Sequence, residues 1–302
     1  MSDALITIGI TCFREGEWLR ECWESVLTQT DDRWQAVIVM DGGADDKTKE
    51  VFESLEHPKL KKYRFEENQG PYVCRNKAFE LTETLYHFYL DADDRLAPGA
   101  IKTVLDIFAS IPDTGYISLD WRNLDTGKIC KRFNNEGGIA ALISGSNYTG
   151  GGAYSLKAWK TVDGFCVDPM LARGLSDYDF HLGLAENNIP CVHSGKPFYL
   201  YRLVSSDKVS SKYAGDFYKK IEYIAERHPR LFSDPKLRNR LLSRGYIHSA
   251  EYFAELGDRQ EAKRLARLSF QYGSKWRPGI IWLALTGRPL PHWYKKIKEK
   301  TD

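Results

Sequence analysis

The stretch HFYLDADDRLAPG, His87 to Gly99, holds three aspartates within four positions: Asp91, Asp93 and Asp94. They follow directly on a run of aromatic and aliphatic residues. Carboxylates this close repel one another, so they need positive charge from solvent, an arginine or a metal ion. Asp91 and Asp93 are two residues apart, and in extended backbone both point to the same side of the chain. A pair at that spacing suits Mg2+ or Mn2+, which take few protein oxygens together with substrate phosphates. A solvated turn with an acidic helix cap is the competing reading of D-x-D by itself. Placement after a buried strand favours the ligand site.

The elements that must position these acids alternate along the first hundred residues. LITIGIT, Leu5 to Thr11, is rich in β-branched residues, and EWLRECWESVLTQT then brings Trp18, Leu19, Cys22, Val26 and Leu27 to one helical face. WQAVIVMD is a continuous apolar run ending in Asp41, the pattern of a strand buried on both faces of a parallel sheet. A helix through DKTKEVFESL, a short strand at KKYRF and a helix through YVCRNKAFELTETL, opened by Gly70 and Pro71, come next. YHFYLD is another buried strand, and PGAIKTVLDIFAS starts a further helix. The order is that of an α/β fold with an open, Rossmann-like, mostly parallel sheet flanked by helices. Ligands of such sheets bind beyond the carboxyl ends of the strands, so Asp41 and Asp91 should face one crevice.

Composition excludes several classes. The 302 residues carry a formal net charge of only +2, which gives no ground for a nucleic-acid binder. The opening MSDALITIGITCF lacks a basic leader, and no run of about 20 apolar residues is present, so neither a signal peptide nor a spanning helix is expected. Six cysteines without a C-x-x-C pair point to reduced thiols in a cytoplasmic setting, most of them small core residues.

The segments ITIGITCFREGEWLRECWESVLTQT, AVIVMDGGADDKTKEVF, ENQGPYVCRNKAFE, FYLDADDRLAPGAI, GGGAYSLKAWKTVDGF and GLSDYDFHLGL, in that order, resemble the successive blocks of a family-2 glycosyltransferase with the GT-A fold. The resemblance runs from about residue 4 to 205 and implies a nucleotide-sugar donor, UDP-linked by default, a divalent metal (Mn2+ or Mg2+) and an inverting transfer to an acceptor hydroxyl. By position, it places Thr11 and Glu15 in the nucleotide pocket, Asp41 on the nucleobase and Arg75 near that base. Asp91 falls on the ribose contact, Asp93 on the metal ligand that bridges the diphosphate, and Asp94 on a helix-capping or supporting acid. Gly151 and Gly152 fall under the donor sugar and acceptor, where glycine admits close backbone approach. The structural alternatives are a strand end at Thr11, a turn residue at Asp41, a solvated helix arginine at Arg75 and a plain flexible turn at the glycines.

The resemblance makes Asp177 the general base, a role worth about 10²- to 10⁴-fold in rate. The alternatives are Asp179, although two residues of helix turn it about 200° away, and a purely structural N-cap at Asp177. Two departures from the family pattern stand out. Ser176 occupies the place of an acid that usually precedes the base, and LYRLVSSDKVSSK lacks the metal-binding histidine often found there, leaving Arg202 and Lys208 to offer positive charge. His193 reads as structural.

Residues 1–212 thus read as a catalytic nucleotide-sugar-binding domain and residues 213–302 as a C-terminal helical appendage. Within the latter, AEYFAELGDRQEAKRLARLSF resembles one tetratricopeptide-like hairpin, turned at Gly257 and Asp258. A single copy cannot form a solenoid and should pack on the catalytic domain. The tail from Trp276 to Asp302 mixes tryptophans with lysines, which suits either a last helix docked on the core with a solvated charged end or a peripheral contact with the inner face of an anionic membrane. The membrane placement fits a saccharide or lipid-linked saccharide acceptor in bacterial surface-polysaccharide synthesis. Two rivals remain: a sugar nucleotidyltransferase, for which ITCFREGEW lacks the glycine-rich basic loop, and a non-catalytic nucleotide-binding assembly partner.

Overall fold

The computed structural model describes residues 3–130, 142–143, 151–172, 174–203 and 215–273. The chain separates into two compact units, residues 1–206 and 207–302. Gly150, Lys208 and the tail from Trp276 lie outside the described residues.

The first unit is built on a seven-stranded sheet. Its strands are β1 (Ile6–Cys12), β2 (Trp34–Met40), β3 (Leu60–Arg64), β4 (Tyr86–Asp91), β6 (Tyr116–Ser118), β9 (Gly152–Ser155) and β10 (Cys191–His193), in the order β10-β6-β9-β4-β1-β2-β3. All pairings are parallel except those of β9, which runs antiparallel between β4 and β6. Every residue of β1 is buried, because it lies between β2 and β4 with helices covering the sheet; Ile6, Ile8 and Ile10 fill one face, and the small Thr7, Gly9 and Thr11 are buried on the other. The expected mostly parallel α/β sheet flanked by helices is present.

Around the sheet lie α1 (Glu17–Leu27), α2 (Asp46–Ser54), α3 (Pro71–Glu80), α4 (Ala100–Ser110), α5 (Leu156–Thr161) and α6 (Ser176–Glu186). The expected buried face of α1 needs correction. Leu19, Cys22, Trp23 and Val26 are buried, whereas Leu27 is exposed and Trp18 lies beneath the Arg202 guanidinium. Helix α3 also stops earlier than its sequence suggests. The Thr82 hydroxyl donates back to the Ala78 carbonyl at 2.9 Å and meets His87 Nδ1 at 2.8 Å, turning the chain into β4. A second, four-stranded sheet, β5 (Arg95–Leu96), β11 (Tyr199–Tyr201), β7 (Trp121–Asn123) and β8 (Ile129–Cys130), runs in the order β5-β11-β7-β8. It brings the end of β11 against the acidic loop after β4.

The second unit contains α7 (Phe217–Arg227), α8 (Pro235–Glu255) and α9 (Arg259–Gln271). Gly257, at φ +83°, makes the turn between α8 and α9, and the Asp258 side chain caps α9 by accepting from Glu261 N at 3.1 Å. Gly245 of α8 packs so closely on Ile221 of α7 that an added Cβ would sit 2.8 Å from it. Among the described residues no helix is long and apolar enough to cross a membrane.

One core contact carries a pH prediction. His87 in β4 is fully buried, stacked on Phe79, and so close to Gly9 of β1 that a Cβ there would overlap its ring. Burial pulls the His87 pKa down from 6.5 to about 3. The unfolded chain therefore takes up a proton between those values that the folded chain refuses, and stability is lost as pH falls below 6.5. Between pH 6.5 and 5 the difference in unfolding free energy between the wild type and His87→Gln should shrink by about 2 kcal/mol. Paired urea titrations measure it, and the difference cancels the other titrating groups. A pH-independent difference would mean that His87 is not held neutral.

Candidate functional site

The crevice opens at the carboxyl ends of β1, β2 and β4. Thr11 pairs with Val39 on one side and with Asp91 on the other, so the three strands end nearly level. Asp41 follows β2 and is 5% exposed. Its carboxylate accepts from Gly42 N (2.9 Å), Gln69 N (2.8 Å), Gly70 N (2.9 Å) and Asn68 Nδ2 (3.0 Å). Four bonds use about the full capacity of a carboxylate. Asp41 thereby ties the end of β2 to the loop that opens α3.

Asp91, Asp93 and Asp94 place one carboxylate oxygen each within 4.8 Å of one another. At an effective dielectric of about 20, two charges so close repel by roughly 3–4 kcal/mol. Asp94 is buried at 1% exposure and accepts from Arg202 N at 2.8 Å, so it anchors the loop to β11. It does not cap a helix; the residue at the head of α4 is Gly99. Asp91 accepts from the Tyr89 hydroxyl and pairs with Arg75 Nη2 at 3.3 Å. The Asp93 carboxyl is pushed up to about 7, first by burial and then by the charges of Asp91 and Glu15. Glu15 is itself raised by burial, despite the Phe13 N–H it accepts at 2.5 Å. The group is short of positive charge, and an oxygen-only donor set of this sign fits a hard divalent cation.

Arg202 is the nearby cation that the expectation named. Its Nε donates to the Asp93 carbonyl (3.0 Å), its Nη2 to Glu21 (2.6 Å), and its guanidinium lies 4.9 Å over the Trp18 ring. Glu21 also pairs with Arg95, so this acid on α1 orients two arginines against the acidic loop. Tyr199 completes the floor, with its hydroxyl 3.5 Å from Asp91 N. Nothing in the sequence marked Glu21 or Tyr199: one is an acid on an amphipathic helix, the other an aromatic in a three-residue strand.

Gly151 and Gly152 are confined by the protein's own rings. A Cβ on Gly151 would overlap Tyr199 and one on Gly152 would overlap Tyr116, while Gly151 O accepts from the Tyr116 hydroxyl at 3.2 Å. The close approach that glycine permits is thus made here to tyrosines.

Helix α6 presents the remaining acid. Leu175, at φ +80° after Gly174, turns the chain sharply into it. Ser176 is fully buried and donates to Cys166 O at 2.7 Å, anchoring the first turn from beneath. Asp177 is half-buried; its Oδ1 accepts from Tyr178 N (2.9 Å) and the Tyr72 hydroxyl (3.4 Å). Asp179 is 3% exposed. Of the two candidate bases, Asp177 is the one that faces the crevice residues. His193 is engaged by Ser118 (3.0 Å) and Asp120 (3.1 Å), in keeping with a structural role.

Residues 7–119 match the model of glycosyl transferase family 2. The teichoic acid poly(glycerol phosphate) polymerase of Staphylococcus epidermidis is 37% identical over 106 residues, 34% of this chain and 15% of that protein. Chondroitin synthase of Escherichia coli is 26% identical over 216 residues, 69% of this chain and 30% of that protein. The chain thus spans under a third of either relative. Among solved structures, S. aureus TarS 1-349 in complex with UDP-GlcNAc superposes with a TM-score of 0.66 at 15% identity, covering 95% of this chain and 93% of that one. The mannosyltransferase PcManGT from Pyrobaculum calidifontis, in complex with GDP-Man and Mn2+, gives 0.60 at 16% identity, covering 97% and 82%. At such identities the likeness is one of fold.

Proposed function

From a chain that carries a family-2 glycosyl transferase domain on a GT-A fold, we propose a transfer of sugar from a nucleotide-sugar donor to an acceptor hydroxyl, with inversion and with Mn2+ or Mg2+. The observation that carries it is one network joining two acid groups: Asp91 to Arg75, Arg75 stacked on Tyr72, and Tyr72 to Asp177. Asp93 would hold the metal together with Asp91, which also suits a ribose. When bound, the metal offsets the negative charge that grows on the leaving diphosphate, worth several kcal/mol. Arg202, fixed by Glu21, adds a positive charge beside Asp93. On the acceptor side, Asp177 Oδ1 is occupied, leaving Oδ2 for the proton of the attacking hydroxyl. The new glycosidic bond forms as the bond from the anomeric carbon to the diphosphate breaks, and a nucleoside diphosphate departs.

A UDP-linked donor is the default, supported by the ligand of TarS, while the GDP-Man ligand of PcManGT keeps guanine open. The two curated relatives named above are a teichoic acid polymerase and a chondroitin synthase, which supports a saccharide or lipid-linked saccharide acceptor. Residues 1–212 would form the catalytic domain and 213–302 its helical appendage.

Incubation with UDP-, GDP- and dTDP-sugars, with Mn2+, Mg2+ or chelator, tests the proposal. Release of nucleoside diphosphate from at least one donor is expected, with loss of release in chelator. Consumption of nucleoside triphosphate and sugar 1-phosphate would instead indicate a nucleotidyltransferase. Nucleotide binding without turnover of any donor would leave a non-catalytic partner.

A further inference from the structure

The two sides of helix α3 engage different parts of the sheet. Cys74 and Ala78 pack with Val37 and Val39 of β2, next to Asp41. Tyr72 and Phe79 pack instead with Tyr89 of β4 and with Phe180 of α6. Arg75 lies three residues from Tyr72, on the same face. Its guanidinium is stacked 4.8 Å from the Tyr72 ring and 4.3 Å from the Tyr89 ring, and its side chain is only 13% exposed. Cation–π contacts of this kind contribute about 0.5–2 kcal/mol each. Arg75 is therefore not a solvated helix arginine.

Tyr89 and Tyr72 extend the contact in both directions. The Tyr89 hydroxyl and Arg75 Nη2 both donate to Oδ1 of Asp91. The Tyr72 hydroxyl donates to Oδ1 of Asp177 at 3.4 Å. One buried cation thus stands between the acid that ends β4 and the acid that heads α6.

We infer that Arg75 is a positioning residue, holding Asp91 by an ion pair and Asp177 through Tyr72, and that it makes no contact with the nucleobase. The inference rests on the glycosyltransfer reading for its kinetic consequence but not for its binding consequence. Without the guanidinium, Asp91 keeps only the Tyr89 hydroxyl against the repulsion of Asp93, and Tyr72 loses the cation over its ring that helps fix its hydroxyl on Asp177. Both acids then keep their chemistry but lose their geometry, and small displacements of a base reduce turnover steeply.

Two ligands that differ only by the nucleobase, UMP and ribose 5-phosphate, isolate the base contact. In Arg75→Gln the calorimetric affinities for UMP and ribose 5-phosphate should fall together through Asp91, their ratio staying within about threefold of wild type, while kcat at saturating donor falls about thirtyfold or more. Tyr72→Phe, which keeps the packing, should lower kcat in the same manner by a smaller factor. Adding it to Arg75→Gln should cost less than the product of the two single effects. Arg75→Lys retains a charge but not the planar stack, and should restore kcat only in part. A UMP to ribose 5-phosphate ratio that collapses in Arg75→Gln overturns the inference, as does an unchanged kcat at saturating donor. If the wild type binds nucleotide but turns over no sugar, the glycosyltransfer reading has failed, and the affinity ratio alone still decides whether Arg75 touches the base.

Discussion

Asp177→Asn should lower kcat by at least about a hundredfold while leaving donor and metal affinity close to wild type. The amide is nearly isosteric and still meets the Tyr72 hydroxyl and Tyr178 N–H through its oxygen, so the first turn of α6 keeps its geometry. It has no site for the acceptor's proton at neutral pH. Donor and metal contacts would come from the ends of β1 and β4, not from α6, which is why the loss should appear in turnover and not in binding. Asp179→Asn serves as the control. Asp179 is buried at 3% exposure, so its substitution should act on thermal stability more than on kcat. Near-normal turnover in Asp177→Asn combined with its loss in Asp179→Asn would move the base by two residues. Turnover unaffected by either substitution would remove the base from α6 altogether.

Asp93→Ala should abolish metal-dependent nucleotide binding, measured by calorimetry with Mn2+ and again with chelator. Metal-free stability should not fall, because the substitution removes one member of a mutually repelling acid group, roughly 3–4 kcal/mol per pair at the effective dielectric of a protein surface. Asp94→Ala supplies the contrast. Asp94 accepts from Arg202 N and so holds β11 against the acidic loop; its loss should lower the melting temperature. Mn2+-dependent affinity that survives Asp93→Ala would show that the ion, if bound, is held elsewhere.

Much of this was legible in the residue order. Continuous apolar strands ending in Asp41 and Asp91, separated by amphipathic helices, dictate a parallel sheet with acids at its carboxyl edge, because such strands can be buried only between two helical layers. The D-x-D spacing after a buried strand, and an acid in the first turn of α6, were equally visible, since each depends on local geometry over a few residues. The C-terminal hairpin, with Gly257 in its turn, was readable for the same reason.

Partner choice was not legible, because it depends on which distant segments meet. Asp41 reads as a free acid at a strand end, and only the fold brings Asn68, Gln69 and Gly70 to consume its lone pairs. Gly151 and Gly152 read as room for a ligand until Tyr199 and Tyr116 occupy that room from other strands. Arg75 reads as one more arginine on a helix; its place between Tyr72 and Tyr89, facing Asp91, exists only when α3 packs over β4 beside α6. Sequence thus determined which groups carry charge and on which element ends they stand. Tertiary structure decided which of those charges are spent on the protein itself and which, Asp93 and Asp177 above all, keep an oxygen for something else, because burial and hydrogen-bond saturation arise only when the elements close on one another.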